Sequence, residues 1–192
     1  MKIIQCSKCF GEATDQIIYR NRDCYKCHVC GNIAPLLSTI DSRLKLSLDK
    51  DSTLYHFSVG FILENEKGEI LILKKRLEPV SWTVVFGHVH SGETIEEASR
   101  RELMESTGLT FKKAELLFKK IARGICPIGA KKHLIHVFKI KINGNAPIAL
   151  NKNFSESRWM DSKKLKDKLP KPLAPGTEFV FRKLKIIKSN GS

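Results

Sequence analysis

At 192 residues, with 42% apolar and 28% charged side chains, the chain has room for one medium domain plus a small appendage and the composition of a globular protein. No apolar run approaches the length of a bilayer span, and Met1-Lys2-Ile3-Ile4-Gln5 has no apolar signal core, so the expectation is a cytoplasmic protein with no membrane role. The net charge of +14 is lopsided, since residues 1–108 carry 14 Lys and Arg against 15 Asp and Glu while residues 109–192 carry 20 against 5. That asymmetry suits a polyanionic partner, RNA or a phosphate-rich small molecule, and equally a solvated lysine-rich surface.

Residues 1–33 hold five of the six cysteines, as Cys6-x2-Cys9 and Cys24-x2-Cys27-x2-Cys30. Paired CxxC hooks at this separation present four thiolates to one tetrahedral zinc, with a disulfide framework, disfavoured in an intracellular chain, as the main alternative. Gly11 and Gly31, close behind their hooks, suit tight knuckle turns and favour Cys6, Cys9, Cys27 and Cys30 as the ligand set. The rival set Cys6, Cys9, Cys24 and Cys27 leaves Cys30 spare, and His28 is a substitute ligand in either. So short a module has no real core, so its zinc is structural and supplies folding free energy. Cys126, alone before Pro127, reads as a small buried hydrophobe.

Residues 34–52 form a connector, yet Leu36, Leu37, Ile40, Leu44, Leu46 and Leu48 make it too apolar for a free linker. It is expected to pack on the larger domain, residues 53–192. There, residues 54–63 and 69–73 flank a turn at 64–68 and predict a hairpin. Further strands are expected at 82–86, 114–121 and 133–142, and helices at 161–169 and 177–187. The mixture points to an α+β fold.

The most informative stretch runs from Gly87 to Leu109. Thr94 and Glu97 form a capping box that starts a helix, and Gly108 is a natural C′ residue that ends it. On that helix Glu102 shares a meridian with Ile95 and Ala98, and Glu105 lies beside it, so acidic side chains sit on the inward face. Such placement is costly unless a cation pairs with them, and a divalent metal bridging to phosphate is one candidate. A surface helix with Glu97 and Arg101 paired at i,i+4 is the other reading. His88 and His90 in the preceding loop are either soft-metal ligands or ordinary loop histidines.

This stretch resembles the Nudix box, G-x5-E-x7-R-E-U-x-E-E-x-G-U with U apolar, at Gly87, Glu93, Arg101, Glu102, Leu103, Glu105, Gly108 and Leu109. The departure is Ser106, where the box carries its last glutamate. The resemblance implies a Nudix-like α/β/α sandwich of mixed sheets, preceded here by a small zinc ribbon. It also implies a hydrolase that cleaves a diphosphate linkage in a nucleotide or nucleotide-capped substrate with magnesium or manganese. Glu102 and Glu105 would be metal ligands and catalytic groups, Glu93 and Arg101 an ion pair bracing the loop at Gly87, and Glu156 a candidate base or partner. A serine at position 106 weakens metal binding, which leaves a module that binds nucleotide or nucleic acid without turnover as the alternative. Arg123, Lys131 and Lys132, at the ends of the loop before the strand at 133–142, are the candidate substrate-binding cations. A ribbon ahead of such a domain, with Ile33-Ala34-Pro35 and the segment from Pro172 to Thr177, is similar to NADH pyrophosphatases. Their SQPWPFP array has no counterpart in residues 121–130, so the NADH substrate is not implied.

Overall fold

The computed structural model describes residues 4–6, 8–9, 11, 14–20, 22–35, 40–41, 43–51, 53–76, 79–123, 132–165 and 169–187. Near the N-terminus, β1 (Ile4–Gln5) pairs with β5 (Ile40–Asp41), and β2 (Thr14–Tyr19), β3 (Arg22–Cys27) and β4 (Ile33–Pro35) make a three-stranded antiparallel sheet. Ile18 on this small sheet and Val29 in the turn between β3 and β4 stay 78% and 70% exposed, so hydrophobic burial contributes little to holding it together.

The remaining strands are β6 (Leu46–Leu48), β7 (Leu54–Glu64), β8 (Glu69–Lys75), β9 (Trp82–Thr83), β10 (Val85–His88), β11 (Glu115–Arg123), β12 (Lys132–Lys141) and β13 (Phe154–Asp161). They form one mixed sheet whose main path is β11-β12-β7-β8-β13, with β12 parallel to β7 and the other pairs antiparallel. Strand β7 organises the sheet. It pairs along its length with β12, and its other edge is met in turn by β6, β10 and β8. Its residues 58–63 are all buried, the pattern of a strand covered on both faces.

Two helices provide the cover, α1 (Ile95–Thr107) and α2 (Pro175–Lys183). Because side chains alternate along a strand, Val59, Phe61 and Leu63 of β7 pack with Ala98 and Leu103 of α1, whereas Ile62 packs with Val180 and Phe181 of α2. The helix–sheet–helix layering expected for the larger domain is therefore present. Among the described residues no helix is long and apolar enough to cross a membrane.

Several expectations shift in detail. Residues 82–86 are not one strand, because the chain leaves β8 at Thr83 and joins β7 at Val85. Thr177 of α2 holds that crossing, accepting from the Val84 amide at 3.1 Å and lying 3.0 Å from the Thr83 hydroxyl. The connector contributes β6 to the sheet, so pairing with β7 begins ahead of residue 53. The helix expected from residue 161 does not start there: Asp161 ends β13 opposite Glu69, and its carboxylate caps a turn by accepting from the Lys163 amide at 2.9 Å. Residues 166–168 of that expected helix lie outside the described residues. Helix α2 starts at Pro175, whose fixed φ suits a first helical turn, and ends by Lys183, with Lys185 in the left-handed region at φ 57.

The α1 seat yields a paired prediction. Leu103→Ala, at a fully buried position, should lower stability by about 2–5 kcal/mol. Met104→Ala next to it, 46% exposed, should stay within about 0.5 kcal/mol of the parent. Denaturant melts of the two variants would reveal equal losses if the helix were seated differently.

Candidate active site

The loop from Gly87 enters α1 through two turns fixed by sequence. Gly92 takes φ 85, which an L side chain rarely adopts. Thr94 then caps α1, its hydroxyl accepting from the Glu97 amide at 3.1 Å while the Glu97 carboxylate accepts from the Thr94 amide at 2.8 Å. Gly108 ends the helix at φ 70. Glu97 is thus committed to the cap, and the surface pair of Glu97 with Arg101 is not formed. The exposed i,i+4 pair is instead Arg100 with Glu96, at 2.8 Å.

Arg101 turns back over the loop. Its Nε and Nη2 donate to the two Glu93 oxygens at 2.6 and 2.9 Å, Nη2 also donates to the His88 carbonyl at 2.8 Å, and Nη1 donates to Glu102 at 2.8 Å. Glu105, more exposed, lies 3.5 Å from the same Nη1. The Glu93 hydrogen bonds with Arg101 hold its carboxyl down to about 2. Burial pushes the Glu102 carboxyl above the ordinary carboxylate range, and Arg101 offsets only part of this.

Gly87 is bare where Glu102 lies. A Cβ at Gly87 would fall 1.8 Å from the Glu102 carboxyl carbon, so only glycine lets strand and carboxylate meet. Three carboxylates thus surround one guanidinium, leaving negative charge on oxygen donors of the kind that hard divalent cations take. Ser106, buried one turn after Glu102, adds no charge to this set.

The other expected site residues scatter. Glu156, on β13 across from Lys74, is ion-paired with Arg158 and lies 3.9 Å from Lys74. Arg123 is exposed at the end of β11, opposite Lys132. Lys132 is the first residue of β12 rather than a loop residue ahead of it, mostly buried, with its ammonium tied to Asp49. Hydrogen bonding to Lys132 holds the Asp49 carboxyl below its usual range. Lys131 and Cys126 lie outside the described residues.

The cysteine reading resolves in geometry. Sγ atoms of Cys6, Cys9, Cys27 and Cys30 all lie within 4.8 Å of one another, with Cys6–Cys30 at 3.7 Å and Cys9–Cys27 at 3.6 Å. A tetrahedron with zinc–sulfur bonds of about 2.3 Å has edges of about 3.8 Å, whereas a disulfide needs about 2.05 Å. The donor set is compatible with zinc. The Lys8 and Gly11 amides donate to Cys6 and Cys9 sulfurs at 3.4 Å, and Gly31 turns at φ 68 behind Cys27. Cys24 sits apart on β3 opposite Ile17, and His28 bonds Asp15 at 3.1 Å.

A cavity of about 240 Å³ opens beside the loop, with Ser58, Lys75, Phe86, Gly87, His88 and His133 among the residues lining it. His88 and His133 meet His56 there, a grouping that the sequence reading missed because these histidines come from three strands. Burial, with His88 and His56 nearby, pushes the His133 imidazole down to about 3. His90 stays a loop residue, its amide donating to Glu93 at 2.8 Å.

A family model described as NUDIX domain matches residues 54–184. Among curated proteins, the RNA pyrophosphohydrolase of Ruthia magnifica subsp. Calyptogena magnifica is 39% identical over 69 residues, which cover 36% of this chain and 38% of that protein. The match thus spans well under half of that relative. Among solved structures, the MutT protein of Methanosarcina mazei Go1 aligns with a TM-score of 0.54 and 25% identity, over 68% of this chain and 91% of that one. The NUDIX domain of Shewanella oneidensis NrtR, solved with ADP ribose, shares the fold at a TM-score of 0.56 and 16% identity, over 72% and 92% of the two chains.

The Arg101–Glu93 pair sets a pH dependence. A carboxyl lowered from 4.5 to about 2 stabilises the fold at pH values above 4.5, and that contribution is lost as pH falls from 4.5 towards 2. Glu93→Gln should therefore lower stability near pH 7 by at most about 3 kcal/mol, with the deficit shrinking across that window. Urea melts at several pH values would expose a constant deficit, which is the contrary result.

Proposed function

The chain belongs to the NUDIX family, and from that premise we propose that it hydrolyses a diphosphate linkage in a nucleotide or nucleotide-capped substrate. The observation that carries this reading is Glu102: a mostly buried carboxylate on the bare backbone of Gly87, with its pKa raised, held by Arg101. Glu102 and Glu105 would hold magnesium or manganese, which when bound neutralises diphosphate charge and lowers the pKa of bound water.

The chain's own groups have separable tasks. Glu102, set against the Gly87 backbone and oriented by Arg101, accepts a proton from the attacking water. Arg101 orients that carboxylate and locks loop to helix through Glu93 and the His88 carbonyl. Lys75 on the cavity wall and Arg123 at the end of β11 supply positive charge for the phosphates. Glu156, engaged by Lys74 and Arg158, is the second carboxylate available as base or partner. Cys6, Cys9, Cys27 and Cys30 would hold a structural zinc that folds the small sheet, within a ribbon of residues 1–33 joined by 34–52 to the Nudix domain at 53–192. The name of the Ruthia magnifica relative, together with the basic second half of this chain, makes the 5′ end of RNA a natural substrate to include.

The test is a screen of diphosphate-linked nucleotides and 5′-triphosphorylated RNA with magnesium or manganese, reading release of phosphate, pyrophosphate or nucleoside monophosphate. Release that chelation abolishes is the expected outcome; nucleotide binding with no release would leave only a binding module. Ser106 is the i+4 neighbour of Glu102, so Ser106→Glu should lower the metal concentration needed for half-maximal rate. An unchanged metal dependence would mean that position 106 takes no part.

A further inference from the structure

We propose that His56, His88 and His133 form a second metal site, distinct from the box carboxylates, that takes zinc or a similar borderline transition metal. Its open coordination position faces the cavity. The three come together through strand register: His133 lies opposite His56 in the parallel β12–β7 ladder, and His88 lies opposite Ser58 on β10. Residues 56 and 58 share a face of β7, so all three imidazoles project to one side of the sheet.

Their candidate ligand nitrogens all lie within 4.8 Å of one another, and their ring centroids are 5.2, 5.3 and 5.5 Å apart. Nitrogens bound tetrahedrally at about 2.0–2.1 Å stand about 3.4 Å apart, so side-chain rotations of roughly an ångström would close the set. His133 supplies an independent sign. It is 2% exposed, and its Nε2 has no hydrogen-bond partner among the described residues. Its Nδ1 lies 2.9 Å from Ser58 Oγ. With Nδ1–H donating to Ser58, the Nε2 lone pair is directed to a metal, the outer hydrogen bond that metal-bound histidines usually make.

The donor chemistry selects the ion. Three imidazoles without a carboxylate favour zinc, nickel or copper over magnesium, the reverse of the preference at Glu102 and Glu105. Three protein ligands leave a fourth position open, as closed structural sites such as the four cysteines do not. His88 and His133 line the cavity, so that position is reached from it, and a cation there together with Lys75 would make the wall attractive to phosphate oxygens. The site stands on its histidines and does not depend on the hydrolytic reading.

The experiment titrates the full-length protein, with its N-terminal cysteines intact, with Co²⁺ in magnesium-free buffer. It reads bound equivalents and visible ligand-field absorption. Wild type should bind one more equivalent than His88→Ala or His133→Gln, or bind it at least tenfold more tightly, with nitrogen-ligand bands that both variants lose. Ser58→Ala should weaken the same step about 10–100-fold. His88 is only half-buried, so His88→Ala carries the test should His133→Gln fail to fold. Equal uptake and equal spectra in wild type and His88→Ala, or no ligand-field bands beyond those of cysteine thiolates, would overturn the site.

Discussion

The Arg101 guanidinium is the interaction on which the arrangement turns. It ties together three pieces of chain: the loop through Glu93, the strand through the His88 carbonyl, and the helix through Glu102. Ion pairs at a surface contribute little, but this one is partly buried and its bidentate geometry fixes direction as well as distance. Removing it would leave Glu93 and Glu102 facing each other without a cation, a change that costs more than the pair itself contributes.

Strand β10 is the divider that follows from that brace. Alternation along it sends Gly87 toward α1 and His88 toward the other face, so two successive residues serve two chemically different surroundings. On one face the missing side chain admits a carboxylate into contact with backbone. On the other, an imidazole meets two more from β7 and β12 at the cavity wall. Hard oxygen donors and borderline nitrogen donors are thereby kept apart by the thickness of a single strand.

What could be read from sequence was local. Thr94, Glu97 and Gly108 mark the helix because capping needs only near neighbours, and the hairpin from β7 to β8 follows from a short turn at residues 65–68. The cysteine spacing pointed to Cys6, Cys9, Cys27 and Cys30, whose sulfurs are the ones that converge. Long-range register was not legible. Lys132 finds Asp49 and His133 finds His56 because β12 runs parallel to β7, a pairing that no periodicity within either strand announces. The start of the helix expected at residue 161 was displaced for a different reason: Asp161 is first claimed by the ladder with β8, and Leu165 is the first helical residue of that stretch.

The account rests on Glu102 as a chemical group and not only a structural one. The most direct measurement compares single-turnover cleavage of a diphosphate substrate by wild type and Glu102→Gln at saturating metal, alongside their thermal midpoints. Glutamine keeps the shape and can still accept from Arg101, so the fold should hold while the rate falls about 10²-fold or more. A Glu102→Gln protein that cleaves at the wild-type rate would contradict the account.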